Sequence, residues 1–89
     1  MMTKRRHLLL LPDLGLGDRT ITASVWLVEL GREVNAGDRL LEVLAGSVTV
    51  DLPAPAAGVL IEVLVEEDEA LAVGQPLAVI ESEEELESQ

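Results

Sequence analysis

A chain of 89 residues has room for one small domain and one core. It is 48% hydrophobic but 1% aromatic, and 17 acidic against 6 basic residues leave a net charge of −11. That charge argues against a nucleic-acid or anionic-membrane partner, since phosphate neutralisation needs clustered Lys and Arg. The absence of Cys excludes disulfides and thiolate chemistry, and a single His makes a zinc centre improbable.

In chain order, residues 1–7 form a basic arm around Lys4-Arg5-Arg6 that is expected to fray. The leucines that follow imitate a signal peptide, but their apolar run is shorter than the roughly 7 residues such a segment needs. The strongest apolar stretch, Leu8 to Pro12, is far below the roughly 20 residues of a membrane-spanning helix, so a soluble, cytoplasmic protein is expected. Residues 21–28 and 39–44 read as strands. Val48, Val50 and Leu52 alternate with Ser47, Thr49 and Asp51, the period of a half-buried strand. Residues 59–65 carry β-branched side chains at 59, 61, 63 and 65. Glycine- and proline-rich punctuation falls between these segments and leaves little space for helices. Residues 82–89 are expected to be a solvated acidic tail.

The chain repeats itself. Residues 25–43 lie over residues 62–80 at a constant offset of 37. Leu27/Leu64, Val28/Val65, Glu29/Glu66, Gly37/Gly74 and Leu40/Leu77 are then identical. Neither copy can bury its apolar face alone. The economical structure packs two similar sheets about a quasi-two-fold axis, with Trp26 expected as the largest core side chain.

Signals for catalysis and metal binding are weak. His7 is the only imidazole, and Ser24, Ser47, Ser82 and Ser88 lie in no nucleophile-elbow pattern. No calcium-loop spacing occurs, and Glu66-Glu-Asp-Glu69 reads as a solvated turn that discourages edge pairing. Leu14-Gly-Leu-Gly17 lacks the third glycine of a dinucleotide loop. No catalytic or metal-ligating residue is assigned.

Leu11-Pro-Asp-Leu-Gly-Leu-Gly17 resembles the Leu-Pro-Asp-Leu-Gly-Glu-Gly opening of lipoyl domains, within the lipoyl/biotinyl-attachment family. These are the swinging-arm modules of the acyltransferase components of 2-oxo acid dehydrogenase complexes. Trp26-Leu-Val-Glu-Leu-Gly-Arg-Glu-Val34 resembles their Trp-x-Val-x-x-Gly-Asp-x-Val. Gly37-Asp-Arg-Leu-Leu-Glu-Val43 and Val50-Asp-Leu-Pro-Ala-Pro-Ala-Ala-Gly58 resemble the two sides of their lysine hairpin. Glu62-Val-Leu-Val65 and residues 73–80 resemble the closing strands. The likeness covers residues 8–81. It implies an all-β fold, a flattened barrel-sandwich hybrid of two similar small sheets.

The departure falls where the family carries Glu-Thr-Asp-Lys-Ala, whose lysine bears lipoate through an amide. Here Leu44-Ala-Gly-Ser-Val48 occupies those places, so Ser47 stands at the lysine position between Gly46 and Val48. A hydroxyl cannot form that amide, and the sole lysine, Lys4, lies outside the motif. The resemblance therefore implies no bound cofactor and a non-carrier binding or structural module that is not itself an enzyme. Its expected partners are proteins, such as 2-oxo acid dehydrogenase components or lipoate-handling enzymes. The competing expectation is a working acyl carrier modified in another way, for instance by phosphopantetheine on Ser47.

Overall fold

The computed structural model describes residues 2–85. Eight strands follow one another: β1 (Met2–Leu10), β2 (Ile21–Trp26), β3 (Glu33–Val34), β4 (Arg39–Ala45), β5 (Val48–Pro53), β6 (Gly58–Val63), β7 (Ala70–Leu71) and β8 (Pro76–Glu85). They make two four-stranded antiparallel sheets in the orders β1-β8-β6-β3 and β5-β4-β2-β7. No helix occurs among the described residues. The all-β barrel-sandwich expected from the sequence is the observed fold.

The strands form because their inward positions are aliphatic at a spacing of two. Leu41, Val43 and Ala45 of β4 are buried, and so are Leu60 of β6 and Ala78 and Ile80 of β8. Leu11, Leu40, Leu52 and Leu77 belong to the same core, which among the described residues holds no buried polar or charged residue. Each fully buried Leu or Ile contributes about 1.5–3 kcal/mol. The core is built from many such aliphatic terms rather than from a few aromatic rings.

The internal repeat appears in the structure element by element. The offset of 37 carries β2 onto β6, β3 onto β7 and β4 onto the first part of β8. Ladder irregularities coincide, at Ala23/Val25 of β2 and Leu60/Glu62 of β6. Turn hydrogen bonds coincide as well. Gly31 N–H donates to the Leu60 carbonyl at 2.7 Å, and Asp68 N–H to the Ala23 carbonyl at 2.7 Å. Leu27 N–H donates to the Leu40 carbonyl, and Leu64 N–H to the Leu77 carbonyl, at 2.8 and 2.9 Å. Each half sends its shortest strand into the other half's sheet: β3 pairs with β6, and β7 with β2. This exchange interlocks the halves and explains why neither can close its core alone.

Two expectations need correction. The arm is not frayed over the described residues: Met2 to Arg6 pair in register with Glu85 to Glu81. Opposite charge supports this ribbon. Glu81 accepts both Lys4 and Arg6 at 3.5 Å, and Glu84 takes Arg5 at 3.4 Å. Residues 86–89 of the expected tail lie outside the described residues. Trp26 is the second correction, because it is half-buried and packs on the rim of the core. Its indole N–H donates to the Val65 carbonyl at 3.2 Å. A ring whose polar edge seeks a carbonyl at the margin cannot also fill the middle of an all-aliphatic core.

Candidate functional site: the β4–β5 hairpin

Strands β4 and β5 are joined by a two-residue turn, Gly46-Ser47, closed by the Ala45/Val48 pair. Gly46 has φ +62° and Ser47 is not in the positive-φ region, the arrangement of a type II′ hairpin turn. Glycine at the first central position and serine at the second suit this turn, whose twist matches that of the strands it joins. Below the turn, Ala45 is buried while Leu44 and Val48 are each 36% exposed. The tip itself is exposed. It presents a hydroxyl at Ser47 and no charge from position 43 to position 50. Sequence reading expected Gly46, Ser47 and Val48 on such a hairpin, and the structure puts all three there.

The remaining candidates are scattered. His7 and Ser82 come together across the β1–β8 ladder, His7 Nε2 lying 2.9 Å from Ser82 Oγ. The sequence could not rank this pair above other serines, because 75 residues separate its members. No carboxylate bonds to the His7 ring among the described residues, so the pair lacks the orienting third member of a triad. Ser24 lies on β2 and Ser47 on the hairpin, away from His7, and Ser88 lies outside the described residues.

Two carboxylates of the acidic turn 66–69 accept backbone N–H groups, one from the other half of the molecule and one within the turn. Glu67 accepts from Trp26 N–H at 3.0 Å, and Glu69 accepts from Glu66 N–H at 3.2 Å. Among the described residues no group of three or more His, Asp or Glu side chains is placed to hold a metal ion.

Comparison with known proteins adds the family. Residues 7–80 match the biotin/lipoyl family described as "Biotin-requiring enzyme". The dihydrolipoyllysine-residue acetyltransferase component of the Corynebacterium glutamicum pyruvate dehydrogenase complex is 37% identical over 70 residues, which are 79% of this chain and 10% of that one. The corresponding component of the Pseudomonas putida acetoin cleaving system is 36% identical over 83 residues, covering 93% and 22%. The lipoamide acyltransferase component of the Pseudomonas aeruginosa branched-chain alpha-keto acid dehydrogenase complex is 32% identical over 77 residues, covering 86% and 18%. This chain thus spans between a tenth and about a fifth of these relatives. Among solved structures, a single-chain, multi-domain long-chain acyl-CoA carboxylase shares the fold with a TM-score of 0.67 at 24% identity, over 83% of this chain and 7% of that one. With the two exchanged sheets, the hairpin and a match running from residue 7 to residue 80, this chain belongs to the biotin/lipoyl domain family and is related to the lipoyl domains of 2-oxo acid dehydrogenase acyltransferases.

Proposed function

We propose that the β4–β5 hairpin of this domain carries no acyl arm. Ser47 takes the place of the modified lysine, and the domain serves as a non-catalytic binding or structural module of a 2-oxo acid dehydrogenase-type assembly. The observation that carries this reading is the Gly46-Ser47 turn. It keeps the geometry of a projecting hairpin while offering no amine. Amide attachment of a carboxylic acid cofactor needs a nucleophilic nitrogen, and a serine hydroxyl would give an ester instead.

The partners follow from the relatives, whose names place them in pyruvate, acetoin and branched-chain systems. An acidic module of that lineage, with no amine at its hairpin, fits contact with protein components rather than with nucleic acid or a membrane, and needs no cofactor at the hairpin. The test has two parts. The hairpin peptide of protein from the native host should be unmodified, and the module should capture 2-oxo acid dehydrogenase components in a pull-down. A lipoyl, biotinyl or phosphopantetheinyl group on residues 44–50 would overturn the reading.

A further inference from the structure

The quasi-two-fold axis also carries β5 onto β1, because β5 borders β4 just as β1 borders β8. The pairs Glu42/Asp51 and Arg39/Pro53 of one sheet then superpose on Val79/Leu8 and Pro76/Leu10 of the other. The molecule therefore has two equivalent outer sheet faces, whose side chains compare position by position.

On the β1-β8-β6-β3 sheet the outward positions alternate with the buried Leu9, Leu60, Ala78 and Ile80. They carry Leu8, Leu10, Val59 and Val79, joined by Ile61, which lines the same groove as Val59. The counterparts on the other sheet are, in the same order, Asp51, Pro53, Thr22, Glu42 and Ser24. The exchange runs the other way at Leu44, Val25 and Ala70, whose counterparts are Glu81, Glu62 and Glu33. Leu8 and Leu10 are 51% and 46% exposed, and Val79, although buried, stands outside the core cluster. Five apolar side chains on the solvent side, where the matching sheet carries Asp, Glu, Ser and Thr at four of the places, mark a contact surface.

The charge pattern of this face selects its occupant. Arg6 pairs with Glu81, Glu81 with Val59, and Val59 with Glu33, so the four form one row across the sheet. The row is cationic at the β1 edge and anionic at the β3 edge. The corresponding row of the other sheet, Thr49, Leu44, Thr22 and Ala70, holds no charge. A second copy turned about an axis parallel to the strands meets the row in reverse, Arg6 of each copy lying over Glu33 of the other. Stacked sheets lie about 10 Å apart, a gap that these two long side chains span together. Glu33 is exposed and makes no ion pair among the described residues. Arg6 meets Glu81 through Nε, which leaves its terminal guanidinium nitrogens for a second carboxylate. Glu81, its side chain 20% exposed between Lys4 and Arg6, brings its own counter-ions into the contact. Edge-to-edge pairing of two copies through β1 is disfavoured by the charges of Lys4, Arg5 and Arg6.

We propose that this face is the interface of a homodimer, in which two copies stack their β1-β8-β6-β3 sheets with Arg6 of each against Glu33 of the other. This goes beyond the hairpin reading and does not depend on it. The β4–β5 hairpin belongs to the opposite sheet, so the dimer leaves both hairpins exposed and offers two of them to one assembly.

The test is sedimentation of the full chain in about 0.15 M NaCl, where a Debye length of about 8 Å screens the repulsion between two chains of charge −11. The mass should rise with concentration towards twice the 9.5 kDa of one chain. Leu8→Asp, which installs the residue of the equivalent position 51, should raise the dimer dissociation constant about tenfold or more with an unchanged circular dichroism spectrum. Arg6→Glu and Glu33→Arg should each weaken self-association about tenfold. Mixed in equal amounts, these two variants should recover it, because positions 6 and 33 then carry opposite charge at both contacts of the mixed dimer. If Arg6→Glu does not fold, Glu33→Arg, remote from the β1–β8 ribbon, must still weaken the dimer. A chain that stays monomeric at millimolar concentration overturns the proposal. A dimer indifferent to Leu8→Asp, or folded variants that do not recover on mixing, overturns it too, since the contact then lies elsewhere. Capture of another host protein by a monomeric chain, lost in Leu8→Asp, overturns the second copy as the occupant.

Discussion

Gly31 and Asp68 occupy the same turn in the two halves of the molecule, with φ of +90° and +73°. Both donate their N–H to a carbonyl of the other half, so both turns are held in the left-handed region by an equivalent bond. Glycine adopts this conformation freely. For other L-residues it costs about 1–2 kcal/mol, less for Asp, which can bond to its own backbone. Gly31→Ala is therefore expected to lose about 1–2 kcal/mol, and Asp68→Gly to be neutral or stabilising by up to about 1 kcal/mol. Urea midpoints at constant m-value check both, and a destabilised Asp68→Gly would show that the carboxylate matters more than the strain.

Gly58 faces a harsher constraint. A Cβ there would run into the Glu81 carbonyl oxygen and lie 2.9 Å from Ile80 Cγ2, at the start of β6, where that strand enters between β3 and β8. Backbone cannot give way as a flexible side chain can, so Gly58→Ala should cost about 3 kcal/mol or more and weaken pairing of β6 with β8. At the hairpin tip a Cβ on Gly46 meets nothing within 4 Å. Gly46→Ala should lose only the cost of its positive φ, about 1–2 kcal/mol. Equal losses in the two variants would remove the steric explanation.

Trp26 supports the rim of the core and one hydrogen bond. Trp26→Ala is expected to cost about 2 kcal/mol, short of the roughly 3–5 kcal/mol of a fully buried ring. Trp26→Phe, which keeps the apolar contact and loses the bond to Val65, should cost about 1 kcal/mol. Thermal melts of the two variants decide between packing and hydrogen bonding as the larger role.

Salt should stabilise the molecule. Four of the six basic residues, Lys4, Arg5, Arg6 and Arg39, already have acidic partners at 3.4 to 3.7 Å, while the net charge is −11. Surface pairs of this kind contribute about 0–1 kcal/mol each, so screening them loses little. Screening the surplus carboxylates removes self-repulsion across the whole domain. The urea midpoint should rise between low salt and 0.5 M NaCl, a concentration at which the Debye length is under about 8 Å. A falling midpoint would assign the ribbon's ion pairs a larger share than the uncompensated charge.

Restoring an amine at the hairpin tests the assignment of the tip. Ser47→Lys alone is expected to be lipoylated poorly, because Gly46 and Val48 replace the neighbours that the resembled motif supplies. Adding Gly46→Asp and Val48→Ala should raise modification to an appreciable rate. Asp tolerates the positive φ at position 46, so the turn should survive. Intact mass after treatment with a lipoate ligase is the readout, and a folded triple variant that stays unmodified removes Ser47 from the lysine position.

Local pattern alone made much of this molecule legible. The alternation around Val48, Val50 and Leu52 and the match of residues 25–43 to 62–80 define strands, turns and two-fold packing, because side-chain period and turn chemistry are properties of neighbouring residues. The hairpin was legible for the same reason: Gly46-Ser47 sits between two strand patterns, and its type II′ geometry follows from one glycine. Tertiary structure decided what depends on distant partners. Arg5 finds Ser82, and His7 finds Ile80, across more than seventy residues, and only that ladder turns the basic arm into a strand. The crossing of β3 and β7 into opposite sheets is equally invisible locally, since two-residue strands carry almost no periodic signal. The exposure of Trp26 depends on how much space the aliphatic side chains of both halves leave between the sheets.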